Sequence, residues 1–379
     1  MRWAWAAGLW LLVAVASGAQ TPTVGTPPPP ELEAKAHILL DVHSGLVLSS
    51  FRPDARVHPA SLTKIMTVFV VLSETAAGRV RMTDEVSISP RARAMEGSRM
   101  FVEEGSSVSL QALLKGIIIQ SGNDASVAVA EHVGGSEAAF SKMMNRYASA
   151  IGMTRSSFSN PHGLPAGDHY TTAADLSRLA QVLIAQFPGE YVWHKEKSYR
   201  HNGITQSNRN KLLWQDASVD GIKTGHTSAA GYCLVASAVR DGMRLVSVVM
   251  GASDTKSRAR QSKLLLNYGY QNFETRLVYD AGAKVTSTRL WKGSVPDVQL
   301  GLSQALYLTF PRGRYSQLKA NVSLPERLFA PLEKGVVLGE LHIAVDGQVL
   351  SSAPLHVLKG VSEGSLLQRW SDQFELWTQ

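Results

Sequence analysis

The sequence predicts an α/β domain followed by a small all-β domain and a short amphipathic helix at the C-terminal end. A strand-turn-strand signal near residue 40 is separated from strand-like runs near residue 240 by a long stretch of helical character. After about Thr275 the texture changes to short apolar runs punctuated by Pro and Gly. The final segment, Ser365 to Gln379, places Leu366, Leu367, Trp370, Phe374 and Trp377 at helical spacing.

Each element follows from its local pattern. His37 to Val42 and Leu46 to Leu48 flank His43-Ser44-Gly45, which reads as strand, turn and strand. Pro59 precedes a run from Ser61 to Leu72 that is apolar beyond its first turn, and Pro and Ser at its mouth are helix-start signals. A helix apolar on nearly all sides belongs in the middle of a domain. Further helices are expected over Leu110 to Ile119, from near Ala125, over Glu137 to Ala150, over Thr172 to Gln186 and over Ser257 to Tyr268. Tyr232 to Ala238 and Arg244 to Met250 read as strands, so both chain ends close one sheet. Beyond it, Leu306 to Phe310, Ala320 to Leu324 and Leu341 to Val345 are strand-like, and Asp346-Gly347 signals a two-residue hairpin. No internal repeat is visible.

The N-terminus sets the compartment. Met1-Arg2, the apolar run Trp3 to Ala16 and the small residues Ser17-Gly18-Ala19 read as a signal peptide over 1–19. Residues 20–35, with Pro27 to Pro30, read as a stiff tether without a core of its own. The domains expected are 36–275, 276–361 and a terminal helix over 362–379. With 44% hydrophobic and 18% charged residues, the chain is globular rather than disordered. Its net charge of +7 comes without a dense Lys/Arg run or interleaved aromatics, which disfavours nucleic acid and suits an anionic envelope surface. The lone Cys233 lies in an apolar strand-like run and reads as a buried small hydrophobe. The C-terminal segment suits a helix lying in a membrane interface; docking on the β-domain is the competing reading. Arg369 against Asp372 and Glu375 gives it a net charge of −1, so apolar burial would have to supply most of the membrane binding.

Three short motifs carry chemistry. In Ser61-Leu62-Thr63-Lys64 the hydroxyl and the amine share a helical face. A Ser hydroxyl needs a neighbouring base, and a Lys serves only if burial or a nearby cation lowers its pKa. Ser253–Lys256 and Ser316–Lys319 have the same spacing but no apolar helix behind them. Ser121-Gly122-Asn123 is the only Ser-x-Asn in the chain; alone it reads as a helix cap before Ala125. On a loop, its hydroxyl could shuttle a proton and the Asn123 amide could bind a substrate carbonyl. Lys223-Thr224-Gly225 precedes strand-forming residues. There Lys223 adds positive field and helps keep Lys64 neutral, Thr224 can bond a carboxylate, and Gly225 lets a substrate lie against an edge strand.

The ordered triple, spaced by about 60 and 100 residues, is the signature of serine β-lactamases and penicillin-binding proteins. With Pro161-His162-Gly163-Leu164, Asn208-Arg209-Asn210 and Val219 to Thr227, the chain resembles the low-molecular-weight penicillin-binding proteins, serine-type D-alanyl-D-alanine carboxypeptidases, over essentially its whole mature length. The resemblance implies a serine DD-peptidase/β-lactamase-like domain, an antiparallel sheet with helices on both sides. It implies Ser61 as acylated nucleophile, Lys64 as base and Ser121 as proton-transfer partner. It further implies Asn123, Lys223, Thr224, Arg209 and His226 as substrate-binding residues, with the Ser61 and His226 amides as oxyanion hole. The implied ligands are a peptidoglycan stem pentapeptide and β-lactam inhibitors, with no cofactor or metal. The C-terminal helix lacks the basic residues often seen in relatives.

Rival activities are weighed on residues. No Glu lies between Glu137 and Glu190, only Asp168 and Asp175, so the deacylating Glu of the best-known β-lactamases has no counterpart. A cross-link-cleaving endopeptidase is a closer rival. A catalytically silent scaffold is disfavoured by three intact motifs. The eleven His residues show no metallopeptidase spacing, and His162 and His226 read as structural or substrate-facing.

Overall fold

A computed structural model describes residues 26–378. The signal-peptide segment and residues 20–25 of the expected tether lie outside the described residues.

The main sheet has five antiparallel strands: β1 (Ala36–Asp41), β2 (Val47–Phe51), β3 (Val219–Thr227), β4 (Gly231–Arg240) and β5 (Met243–Ala252), in the order β2-β1-β5-β4-β3. Both chain ends close it, as the sequence predicts. Its strands are apolar on both faces because both are covered. Leu39, Leu234, Leu245 and Val249 pack with Leu265 and Leu266 of the Thr255–Asn272 helix. Ile38, Val235, Val246 and Val248 face the opposite layer, which holds α1 (Thr63–Ala76), α2 (Asn123–Gly134), α3 (Glu137–Ala150) and α4 (Ala173–Gln186).

Two expected helices differ in detail. Ser61 lies in a tight turn, Ala60–Leu62, that runs directly into α1. The segment from Leu110 is an α-helix only to Lys115 and then widens into a π-helical turn over Gly116–Gln120. The proline-rich segment is no free tether where it is described. The Pro27 carbonyl accepts from the Tyr268 hydroxyl and the Glu33 carbonyl from Gln261, so it lies along the Thr255–Asn272 helix.

The second domain is all β, with a six-stranded sheet and the pair Phe273–Tyr279 and Leu306–Pro311 enclosing Leu300, Phe310, Leu341, Ile343, Leu355 and Val357. Its Asp346-Gly347 hairpin forms as predicted, with Val345 opposite Gln348 and both turn residues at positive φ. The terminal helix, Leu366–Thr378, docks here through its polar face: Arg289 pairs with Asp372 (3.1 Å) and Glu375 (3.2 Å). Leu366, Leu367, Trp370, Phe374 and Trp377 are left 67–83% exposed. Among the described residues no helix is long and apolar enough to cross a membrane.

Candidate active site

Strand β3 is an edge of the sheet, and its free side faces the Ala60–Leu62 turn across a cleft of about 660 Å³. Ser61, Ser98, Asn208, Arg209, Thr224 and His226 are among the residues lining it. Gly225 explains the close approach: a Cβ there would sit 3.0 Å from the Pro59 carbonyl oxygen and 3.3 Å from Leu62. The glycine therefore suits the close packing of the Ala60–Leu62 turn against the strand, in addition to the substrate access expected of it. Gly163, at φ +89°, is forced more strongly, because a Cβ would collide with the Ala60 carbonyl.

Lys64 begins the chemistry. Its side chain is completely buried, and Nζ donates to Asn123 Oδ1 (2.7 Å) and the His162 carbonyl (2.7 Å) and lies 3.2 Å from Ser61 Oγ. Burial first, and the Arg209 guanidinium second, bring its pKa down to about 7, against an opposing pull from Asp124. A neutral amine has two hydrogens and one lone pair. With the hydrogens on Asn123 and His162, the lone pair is what remains for the Ser61 hydroxyl, so the geometry favours removing its proton. Among the described residues no acidic side chain bonds the amine, which would otherwise hold it charged.

Ser121 sits at the end of the π-helical turn at φ +63°, and its buried Oγ has no hydrogen-bond partner among the described residues. It is not the helix cap that the motif alone suggests; Gly122 occupies that position. Asn123 spends its oxygen on Lys64 and donates from Nδ2 to the Glu96 carbonyl (2.7 Å), which leaves one amide hydrogen for a substrate carbonyl.

Lys223 and Thr224 are buried on β3, not in a solvated turn. Burial, followed by the charges of Lys64, Arg209 and Arg258, holds the Lys223 pKa well below the usual lysine range. The sequence reading credits Lys223 with keeping Lys64 neutral; the structure assigns that to burial and Arg209. Asn208 and Asn210 are buried, with Asn210 Nδ2 on the Gly221 carbonyl (2.9 Å), and they present the exposed Arg209 to the cleft between them. His226 is exposed and stacks on Tyr232 at 4.0 Å.

Three contributors escaped the sequence reading. The His162 carbonyl reaches Lys64 from 98 residues away, and only the Pro-His-Gly-Leu pattern around it stood out. Arg258 comes off the Thr255–Asn272 helix, lines the cleft and donates to the Gly225 carbonyl (3.1 Å); nothing in the sequence marks it. The Glu96–Ser98 wall is a loop without a motif. Ser253, Lys256, Ser316 and Lys319, the look-alike pairs, are all exposed. Cys233 is buried, and burial pushes its thiol up to about 11. Among the described residues no group of three or more His, Cys, Asp or Glu side chains could hold a metal ion.

Comparison with known proteins agrees with this geometry. Residues 23–254 match a peptidase family described as D-alanyl-D-alanine carboxypeptidase, and residues 273–363 match the penicillin-binding protein 5 C-terminal domain. The chain is 42% identical over 360 residues to D-alanyl-D-alanine carboxypeptidase DacC of Escherichia coli, covering 92% of this chain and 90% of that one. It is 40% identical over 350 residues to DacA of Haemophilus influenzae, covering 91% and 89%. The crystal structure of penicillin binding protein 5 from Haemophilus influenzae superposes with a TM-score of 0.86 at 41% identity, covering 89% of this chain and all of that one.

Proposed function

The chain belongs to the D-alanyl-D-alanine carboxypeptidase family of penicillin-binding proteins, and from that premise we propose how its residues remove the terminal D-alanine of peptidoglycan pentapeptides. Ser61 Oγ attacks the carbonyl carbon between the two D-alanines while Lys64 Nζ takes its proton. The proton passes, with the help of the Ser121 hydroxyl, to the departing amine of the terminal D-alanine. Water then hydrolyses the Ser61 ester. The terminal carboxylate lies against Thr224, Arg209 and Lys223, and its negative charge raises the Lys223 pKa so that the amine takes up a proton from water as substrate binds. The Ser61 and His226 amides hold the oxyanion, and Asn123 fixes Lys64 while its spare N–H meets the substrate.

The observation that carries this reading is a fully buried lysine with no acidic hydrogen-bond partner among the described residues, 3.2 Å from a hydroxyl that lines the cleft. A β-lactam enters the same path. With no Glu in the 138–189 segment to activate water, its adduct persists. Labelling with a fluorescent penicillin tests the assignment: the native chain labels and Ser61→Ala does not. Labelling of Ser61→Ala at the native rate refutes it. Purified muropeptides separate the two peptidase readings, because a carboxypeptidase frees D-alanine from pentapeptide monomers and an endopeptidase splits dimers.

Residues 36–275 are then the catalytic domain, 276–361 a domain without chemistry of its own, and 362–379 a membrane-associating helix. An exported chain so built works at the outer face of the cytoplasmic membrane. The docked polar face supports this, because Asp372 and Glu375 turn inward to Arg289 and the apolar side chains face outward.

A further inference from the structure

Asp124 follows Asn123 directly and takes no part in the chemistry above. Its carboxylate is completely buried, and its partners are backbone amides rather than a cation. Oδ1 accepts from Met100 (2.8 Å) and Ala125 (2.9 Å); Oδ2 accepts from Phe101 (2.8 Å) and Val102 (3.3 Å). A buried charge on four N–H groups is a strong clamp, because each bond is charge-assisted and the alternative is an unpaired ion.

What it clamps is the loop that walls the cleft. Gly97 and Ser98 line the cleft. The Asn123 amide donates to the Ser98 carbonyl (2.7 Å) and its side chain to the Glu96 carbonyl (2.7 Å). The fit is tight, since a Cβ on Gly97 would lie 3.0 Å from Asn123 Nδ2. Phe101 is held at φ +66°, unfavourable for an aromatic residue, although the residue stays 39% exposed. Such a conformation persists only where its surroundings impose it, and the bond from Phe101 N to Asp124 does so.

We propose that Asp124 is a positioning residue: by gripping the Met100–Val102 backbone it presses the Glu96–Ser98 wall onto Asn123 and so fixes the Lys64 amine at Ser61. The inference rests on the reading of Lys64 as the base. Its carboxylate has a second effect. It opposes the fall of the Lys64 pKa, in surroundings that also hold Arg209, Lys223 and His162, and with His201 near the carboxylate itself.

The test is Asp124→Asn in the full chain, measured as the rate constant of Ser61 acylation by a fluorescent penicillin per titrated active site. Asn keeps the volume but turns an NH₂ group toward backbone donors. The rate per site should fall about 10- to 100-fold. Its acid limb should move to lower pH, because losing the anion lets the Lys64 pKa drop further. A merely structural aspartate would lower the fraction of sites that label and leave the rate per site and the limb unchanged; that result overturns the proposal. A second measurement does not depend on the variant folding. In the native chain the Met100 and Phe101 amides should exchange hydrogen as slowly as the sheet core. Exchange at free-loop rates refutes the clamp, even if wild-type labelling fails and removes the nucleophile assignment itself.

Discussion

The catalytic cleft and the C-terminal helix break the same rule in opposite directions. In the cleft, Lys64 and Lys223 are buried at 0% and 4% exposure without an acidic partner bonded to either amine. On the helix, Trp370, Phe374 and Trp377 are 71%, 69% and 75% exposed. Burial energetics disfavour both, since a buried charge loses its hydration and an exposed ring keeps its apolar surface in water. In each region the cost has a use. Burying an amine gives a base near neutrality, and exposing a row of aromatic rings gives a surface that leaves water for something apolar.

Substitution of the buried amine should have the strongest consequence. Lys64→Arg keeps a long basic side chain but cannot lose its proton. Acylation by penicillin should fall by roughly 10³-fold, within the range for removal of a general base. If the Lys64→Arg variant acylates at the native rate, the amine is not the base. On the helix, Trp370→Glu with Trp377→Glu should weaken binding to lipid vesicles by at least about 30-fold, since one buried aromatic ring is worth roughly 2 kcal/mol. The loss should persist in high salt, because the acids of this helix already face Arg289. Unchanged flotation with vesicles would make the helix a docking element only.

Arg209→Ala acts on both binding and base. It should raise KM for a pentapeptide by about tenfold, as for loss of one partly exposed ionic contact. It should also move the acid limb of acylation to higher pH, because the guanidinium is one of the charges that lower the Lys64 pKa. A raised KM with an unmoved limb would confine Arg209 to substrate binding. The smallest effect falls on stability. Ser121→Ala removes a buried hydroxyl without a partner, so thermal unfolding should be unchanged or strengthened by about 1 kcal/mol while acylation slows. A variant that is both less stable and fully active would make Ser121 structural.

How much of this was legible in the sequence differs between the two regions. The helix could be read from its apolar spacing, which is local; it forms over Leu366–Thr378, inside the 362–379 expected. Its docking face could not, since Arg289 lies 83 residues from Asp372. In the cleft, the three motifs point to Ser61 and Lys64, to Ser121 and Asn123, and to Lys223 and Thr224, and the fold brings Ser61 and Thr224 to one groove. Other contacts of the two lysines are silent in the sequence. A backbone carbonyl at His162, which bonds Lys64, has no residue type to betray it, and Arg258, one of the charges lowering the Lys223 pKa, comes from a helix with no motif. Gly225 shows the same limit: the sequence announces a glycine, and only the fold shows that its missing Cβ makes room for the nucleophile turn.

The account stands on Lys64 being uncharged when Ser61 attacks. Its most direct test is the acylation rate of Ser61 by a fluorescent penicillin measured from pH 5 to 10. Lowered by burial and Arg209 to about 7, the Lys64 amine should give a rate that climbs tenfold per pH unit below neutrality and levels off above it. A rate flat across that range, or one still rising at pH 10 as for an ordinary lysine, would contradict the account.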